Sequence, residues 1–161
     1  MDDLMTPRLT LRPLTVADVM ALIARAPAPG SRWAPGYPLD GDITAARRLL
    51  DHPGEHPGVY EIRHRADGSA IGGVGFHGPA DPCGALTVGY GLIPSARGRG
   101  YAAEALRAVL ASARERGFTR VRGDADHDNP ASHRVMVSAG MRRVSADERV
   151  AYYETSWHRP S

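Results

Sequence analysis

The loop Arg97-Gly98-Arg99-Gly100 carries residue types suited to binding a phosphate. An alternating strand pattern ends just before it, and a helical pattern of apolar residues begins at Tyr101. The first N–H groups of a helix have no partner within it, and the helix dipole adds partial positive charge there. Glycine lets an anion approach the backbone, and arginine adds full charge. The loop therefore predicts a diphosphate site.

The same glycines fit two other interpretations. They could serve only a tight turn, with no ligand. They also match the dinucleotide fingerprint as Gly98-x-Gly100-x-x-Ala103, with Asp124 or Asp126 following at a strand end. However, four predicted strands precede this motif and only one predicted helix follows Asp124, whereas a doubly wound fold needs several further βα units. NAD binding is therefore the weaker interpretation.

Alternation and helical spacing predict the elements that position the loop. The predicted strands cover about 8–14, 59–65, 69–77, 85–93, 118–128, 141–144 and 149–157, and the predicted helices about 15–25, 42–51, 100–116 and 129–140. The order β-α-α-β-β-β-α-β-α-β-β predicts an α/β (α+β) fold, a mixed sheet of about seven strands flanked by about four helices. The length suits a single domain over residues 1–161.

Local residue types refine these elements. A capping-box pattern begins the first helix, and Asp42 is predicted to cap the second. The glycines within 69–77 predict close packing or a bulge in that strand. Gly89 and Gly91 predict a bulge in the strand before the loop.

Composition limits the class of protein. The 161 residues carry a net charge of +2, which is too mild to predict nucleic-acid binding without a basic stripe. No apolar run approaches a membrane span, and the N-terminus lacks the apolar region of a secretory leader. Cys83 is the only cysteine, which fits a reducing compartment, and we expect a cytoplasmic protein.

Three motifs in the second half of the chain occur together at a characteristic spacing. The first motif is Arg97-Gly98-Arg99-Gly100-Tyr101-Ala102, the second is Asn129-Pro130-Ala131-Ser132, and the third is Gly140-Met141. The segment Thr6–Arg12 overlaps the predicted first strand and resembles the opening strand of the family that carries these motifs. With these motifs the chain resembles the GCN5-related N-acetyltransferases, the GNAT family. It is similar in particular to the bacterial branch that acetylates ribosomal-protein N-termini at alanine.

The resemblance implies the GNAT fold, whose mixed sheet is mostly antiparallel, with acetyl-CoA as co-substrate and no metal. It implies direct transfer, in a ternary complex, to a primary amine on a protein N-terminus or a small molecule. The residues it implies for CoA binding are Tyr90, Gly91, Leu92, Arg97, Gly98, Arg99, Gly100, Tyr101, Ala102, Ala103 and Asn129. Ser132 would protonate the departing thiolate, and Trp33 and Tyr37 would line the acceptor cavity.

The general base is not evident from the motifs. Many family members carry Glu two residues before the Gly-Tyr pair, but this chain has Thr87 there. An amine attacks only when neutral, so some group must accept its proton. His127 lies between Asp126 and Asp128, and a neutral imidazole flanked by carboxylates suits proton removal near pH 7. The same acidic cluster could instead attract a cationic acceptor or form a polar turn before a helix cap.

Several assignments keep a structural alternative at this stage. Asn129 could be only a helix cap and Ser132 only a first-turn residue, and Trp33 and Tyr37 could simply anchor a loop. A non-catalytic acyl-CoA-binding or regulatory module on the same fold would need the same phosphate loop. The identity of the amine and the choice between monomer and homodimer stay open.

Overall fold

The computed structural model describes residues 1–155 and Trp157, and it shows a mixed α/β fold. The strands are β1 (Leu4–Met5), β2 (Leu9–Pro13), β3 (Val59–His64), β4 (Ala70–Phe76), β5 (Ala85–Leu92), β6 (Arg120–Asp126), β7 (Met141–Ala146) and β8 (Val150–Thr155). The helices are α1 (Val16–Ala24), α2 (Asp40–Asp51), α3 (Tyr101–Glu115) and α4 (Pro130–Ser138), with a short 3₁₀ helix at Pro94–Ala96. The eight strands form one sheet in the order β1-β2-β3-β4-β5-β6-β8-β7.

This architecture confirms the predicted fold class. Every neighbouring pair of strands is antiparallel except β5 and β6, which are parallel. The strand that the sequence pattern missed is β1, whose two residues are too few for alternation to be visible. The predicted last strand extends over residue 156, which lies outside the described residues, and β8 ends at Thr155.

The two N-terminal helices begin in different ways. Thr15 and Asp18 form the predicted capping box at α1. The prediction that Asp42 caps α2 is wrong, because α2 already begins at Asp40. Asp42 is the third helical residue, and its carboxylate accepts the N–H of Leu39 at 2.9 Å. This contact explains why an acidic residue is favoured at the start of the helix.

Strand β5 stays paired with β4 along its second half, where it separates from β6. The separation of β5 from β6 leaves an opening near the centre of the sheet. β5 pairs with β4 over residues 88–92 but with β6 only over residues 85–87. Alternate residues of an antiparallel strand bond the same neighbour, and here the odd-numbered residues of β5 bond β4. The backbone N–H and C=O groups of Tyr90 and Leu92 therefore face the opening.

The α2-facing side of β4 and β5 has no side chains at four paired positions, which are Gly73 and Gly75 of β4 and Gly89 and Gly91 of β5. A Cβ at Gly73 would collide with Asp42 Oδ1, and a Cβ at Gly89 would lie 2.5 Å from His77 Nε2. The close packing predicted for residues 69–77 is thus confirmed. The predicted bulge at Gly89 and Gly91 is wrong, because β4 and β5 pair over these residues without a register shift.

Helix α3 is fixed to the sheet by its apolar stripe. Ala105, Leu106 and Val109 are completely buried, and burying a leucine or valine side chain contributes about 1.5–3 kcal/mol. The N-terminus of α3 is therefore held in place beneath the loop that precedes it. Of the helices in the described part of the chain, none combines the length and apolarity needed to cross a bilayer.

Candidate functional site

The loop between β5 and α3 turns through two glycines in the left-handed region. The φ angles are 76° at Gly98 and 81° at Gly100, where an L side chain costs about 1–2 kcal/mol. Within the described residues, the amides of residues 98–103 donate to no backbone carbonyl, and the first bond into α3 runs from the N–H of Glu104 to Gly100. A row of free N–H groups therefore lies at a helix N-terminus, where the dipole favours an anion.

A groove of about 600 Å³ runs from this loop along the open edge of β5 to the start of α4. It brings together eleven of the residues assigned from the sequence: Tyr90, Gly91, Leu92, Arg97, Gly98, Gly100, Tyr101, Ala102, Ala103, Asn129 and Ser132. The sequence interpretation missed Ala131, Val135 and Ser138, which also line it. Their spacing of four and then three residues along α4 is the signal that could have found them.

The charge of the groove suits a polyanion. Arg97 Nε donates to the carbonyl of Leu92 at 3.1 Å, which holds this guanidinium beside the loop. Arg134 also lines the groove, and no Asp or Glu of the described residues does. The groove therefore has two positive charges and no carboxylate among its lining residues, and such a surface attracts anionic ligands at long range.

Arg99, the remaining loop residue, does not line the groove. Its carbonyl accepts Arg8 Nη1 at 2.8 Å, and the Arg8 guanidinium also lies 4.5 Å from the centre of the Tyr101 ring. Glu104 Oε2 accepts the Thr6 hydroxyl at 2.5 Å and the Arg8 N–H at 2.9 Å, while Oε1 accepts Arg8 Nε at 2.7 Å. This Glu104 clamp ties the segment before β2 to the first turn of α3 and thereby supports the loop.

We expect Glu104→Gln to destabilise the fold by about 2 kcal/mol at neutral pH, the usual scale for a charge-assisted hydrogen bond. Burial raises the pKa of Glu104, but the bonds from Thr6 and Arg8 outweigh it and hold the pKa below its ordinary value. The stabilisation is therefore present above the ordinary glutamate pKa of about 4.3 and is lost as the pH falls through the folded-state pKa.

Urea unfolding at neutral and acidic pH measures this effect. Glu115→Gln, at the exposed end of the same helix, is the matched control and should unfold like the wild type at both pH values. An acid-induced loss of stability equal in wild type and Glu104→Gln would contradict the role assigned to this carboxylate.

Ser132 and Tyr90 contact each other across the opening. Asn129 caps α4 with Oδ1, which accepts the N–H of Ser132 at 3.2 Å. The Tyr90 hydroxyl lies 2.6 Å from Ser132 Oγ, where either oxygen can donate, and 3.2 Å from the Ser132 carbonyl, to which it can donate instead. Burial raises the pKa of Tyr90 while the bond with Ser132 lowers it, and the net direction is upward. Tyr90 therefore keeps its proton at neutral pH and can donate it to Ser132.

Asp126 is the last residue of β6 and His127 begins the turn to α4, and neither is among the groove-lining residues. His127 Nε2 is 2.7 Å from the carbonyl of Asp147, and the carbonyl of Asp126 is 2.8 Å from His133 Nε2. His133 Nδ1 in turn contacts the Tyr153 hydroxyl at 2.6 Å. These contacts hold α4 against β8, and the base role assigned to Asp126 and His127 stays a prediction.

A second cavity of about 390 Å³ lies between α2 and the glycine-bearing side of β4 and β5. Its polar side chains are Asp42, Thr44, Arg48 and His77, and the sequence interpretation assigned none of them to the site. The remaining lining residues are Leu39, Gly41, Ala45, Val59, Gly73, Val74, Gly75, Phe76, Gly89, Tyr90 and Gly91. Tyr90 and Gly91 also line the first groove, so the two cavities meet at β5.

The carboxyl group that lines this second cavity, that of Asp42, has a raised pKa. Burial raises the pKa of Asp42 to about 6, the hydrogen bond from Leu39 opposes this rise, and the nearby charge of Glu61 adds to it. Glu61 is itself buried and paired with Arg63 Nε at 2.6 Å. Asp42 is therefore poised to change its charge close to neutral pH.

Trp33 and Tyr37 stack edge to face, with ring centroids 5.6 Å apart. Tyr37 is buried, and that burial, with the charge of Glu61, raises the pKa of its hydroxyl. Neither residue is among those lining the second cavity. Their role in contacting an acceptor stays a prediction.

Comparison with known proteins places this geometry among acetyltransferases. The family model described as an acetyltransferase (GNAT) domain matches residues 8–142. No curated protein matches the chain.

Solved structures share the fold over nearly the whole chain. An acetyltransferase from Agrobacterium tumefaciens is 25% identical with a TM-score of 0.67, covering 99% of this chain and 95% of its own. A GNAT-family acetyltransferase from Bacillus anthracis is 19% identical with a TM-score of 0.70, covering 95% and 97%. A ribosomal L7/L12 alpha-N-protein acetyltransferase in complex with coenzyme A is 21% identical with a TM-score of 0.68, also covering 95% and 97%.

Proposed function

Because the chain belongs to the GNAT acetyltransferases, we propose that it moves the acetyl group of acetyl-CoA directly onto a primary amine within a ternary complex. The observation that carries this proposal is the meeting of the two cavities at Tyr90 and Gly91. Successive residues of a strand point to opposite faces, so donor and acceptor could approach β5 from its two sides. Holding two reactants together in this way is worth roughly 7–11 kcal/mol.

In this proposal the groove binds acetyl-CoA. The free amides of residues 98–103, together with Arg97 and Arg134, suit the diphosphate. The backbone N–H and C=O of Tyr90 and the N–H of Leu92, which face the opening, suit the amides of the pantetheine arm, which would lie along β5 like an added strand. Asn129 would contact the pantetheine near the start of α4. The structure of a coenzyme A complex of a similar fold supports CoA as the ligand.

The chemistry needs an oxyanion donor and an acid for the sulfur. A backbone N–H of β5 facing the opening would stabilise the oxyanion that forms when the amine attacks the thioester. Ser132 Oγ would then give a proton to the departing thiolate. When Tyr90 donates to Ser132 Oγ, the proton of Ser132 is free to transfer, and Tyr90 stabilises the serine oxygen left behind.

The acceptor is a protein N-terminus or a small-molecule amine. The second cavity is lined by the carboxylate of Asp42 and by the guanidinium of Arg48, and its glycine floor leaves room for an unbranched amine beside Asp42. The name of the ribosomal-protein acetyltransferase supports the protein N-terminus as one acceptor to test. The cytoplasmic location, the single domain and the choice of monomer or homodimer stay predictions.

The test is thiol release from acetyl-CoA by the full chain, with short peptides, polyamines and aminoglycosides as acceptors and mass spectrometry of the products. We expect at least one amine to gain one acetyl group in step with thiol release. Tight binding of acetyl-CoA without turnover on any acceptor would instead favour the non-catalytic acyl-CoA-binding module. Binding of NAD but not of CoA in calorimetry would contradict the assignment of the groove.

A further inference from the structure

The cavity beneath α2 contains a carboxylate oxygen without a protein partner. Asp42 is only 9% exposed, and its Oδ2 accepts the Leu39 N–H at 2.9 Å, whereas Oδ1 accepts no hydrogen bond from the described residues. Oδ1 is not one of the side-chain atoms that are buried without a partner, so it is accessible from the cavity. Because Asp42 lines the cavity, a ligand with an N–H donor could satisfy Oδ1 from there.

The strand register brings this oxygen close to the meeting point of the two cavities. Oδ1 of Asp42 lies over Gly73, the position where any Cβ would collide with it. Gly73 pairs with Glu61 on one side and with Gly91 on the other. Neighbouring strands are about 4.8 Å apart, so Asp42 lies about one strand away from the residue that also lines the donor groove.

We propose that Asp42 Oδ1 binds the ammonium group of the acceptor and accepts its proton before attack, an inference that rests on the proposed function. The amine enters as R–NH₃⁺, gives one proton to Asp42, and uses the freed lone pair to form the C–N bond as the C–S bond breaks. A second N–H proton passes to the thiolate by way of Ser132, and Asp42 releases its proton to water. Asp42 thereby supplies the carboxylate that is missing at Thr87.

Of the carboxylates of Asp42 and Glu61 near this cavity, that of Asp42 is the one available to pair with a bound cation. The groups that face it are Tyr37 from the preceding loop, Glu61 and Arg63 of β3, His77 just after β4, Tyr90 of β5 and Arg48 of α2. Glu61 is paired with Arg63, whereas Asp42 forms no ion pair with a described residue. Its pKa of about 6 lies nearer to an α-amine, at about 7.7–8.0, than to a lysine-like amine near 10.4. Transfer of a proton to Asp42 is therefore less unfavourable from an α-amine than from a lysine-like amine.

The substitution Asp42→Asn tests this role, since it keeps the acceptor for the Leu39 N–H but removes the charge. We expect kcat/KM for the amine to fall about 100-fold, the scale of general-base catalysis, with acetyl-CoA affinity unchanged by calorimetry. Asp40→Asn is the matched control, because Asp40 is in the same helical turn but is fully exposed and does not line the cavity. It should behave like the wild type.

The pH dependence separates catalysis from a structural role. In the wild type, kcat/KM for the amine should rise as Asp42 ionises near pH 6 and fall above the pKa of the acceptor ammonium. Asp42→Asn should lose the rise near pH 6. It should not lower the melting temperature at about pH 8, since the raised pKa means that the folded state disfavours the charged form there.

Two results would overturn the proposal while the proposed function stands: a wild-type profile that rises only through the pKa of the acceptor itself, or Asp42→Asn turnover equal to that of Asp40→Asn. The first needs no variant, so it decides the question even if Asp42→Asn fails to fold. Absence of transfer to every amine by the wild type would overturn the proposed function and this inference together.

Discussion

Gly100→Val should abolish measurable acetyl-CoA binding while the chain stays folded. The φ of 81° at Gly100 is strained for any L residue, and a Cβ there would lie 3.3 Å from Arg8 Nη2. Valine therefore moves the backbone on which the amides of residues 98–103 are aligned. Losing two charge-assisted hydrogen bonds to the diphosphate costs about 3–6 kcal/mol, which is at least 100-fold in Kd at about 1.4 kcal/mol for each factor of ten.

Isothermal calorimetry with acetyl-CoA measures this loss, and circular dichroism checks the fold. Gly117→Val is the matched control: Gly117 also has a positive φ, 90°, but lies just beyond the other end of α3 with no atom within 4 Å of its Cβ position. It should lose similar stability and keep its affinity. Equal affinity in Gly100→Val and wild type would mean that the diphosphate binds elsewhere.

The phosphate loop could be predicted from sequence because its signals are local. The strand end, the two glycines and the helix start are contiguous, so each residue in Arg97–Ala103 is constrained by its immediate neighbours. Asn129 was predicted as the cap of α4 for the same reason, whereas the roles of Asn129 and Ser132 in the site were implied by the family resemblance. Signals that depend only on neighbouring residues can be recognised without knowing how distant elements pack.

Asp42 could not be assigned from sequence because its environment is created by three distant strands. In the sequence it is one acidic residue near a helix start, where a cap is the ordinary explanation. Its burial, its raised pKa and its position over Gly73 depend on the packing of α2 against β4 and on Glu61 in β3. The sequence signal for this cavity was the set of glycines on β4 and β5. Adjacent strands with glycines on one face leave a cavity there or allow a close contact.

The opening between β5 and β6 also lay beyond local patterns. The sequence predicted both strands, yet parallel pairing limited to residues 85–87 is a property of the whole sheet and of α4 packed beside it. The glycines of β5 were interpreted as a bulge because Gly in a strand often marks one. Here they instead keep the strand bare toward α2, which leaves the meeting point of the two cavities free.

Ser132→Ala should lower kcat about 100-fold, the lower end of the range for a lost general acid, with little change in acetyl-CoA affinity. The thiolate then leaves without a proton donor, although the diphosphate contacts that hold the donor substrate are untouched. Tyr90→Phe removes the hydroxyl 2.6 Å from Ser132 Oγ and should lower kcat by a smaller factor in the same direction. Steady-state kinetics with the amine found in the acceptor screen, combined with calorimetry, separates the two parameters.

Ser138→Ala distinguishes loss of chemistry from loss of a polar groove wall. Ser138 also lines the groove but lies six residues further along α4, about 9 Å away at 1.5 Å per residue. Any effect of its removal should therefore fall on acetyl-CoA affinity rather than on kcat. Matching losses of kcat and affinity in Ser132→Ala would identify Ser132 as a binding residue, and the thiolate would then have to take its proton from Tyr90 or from water.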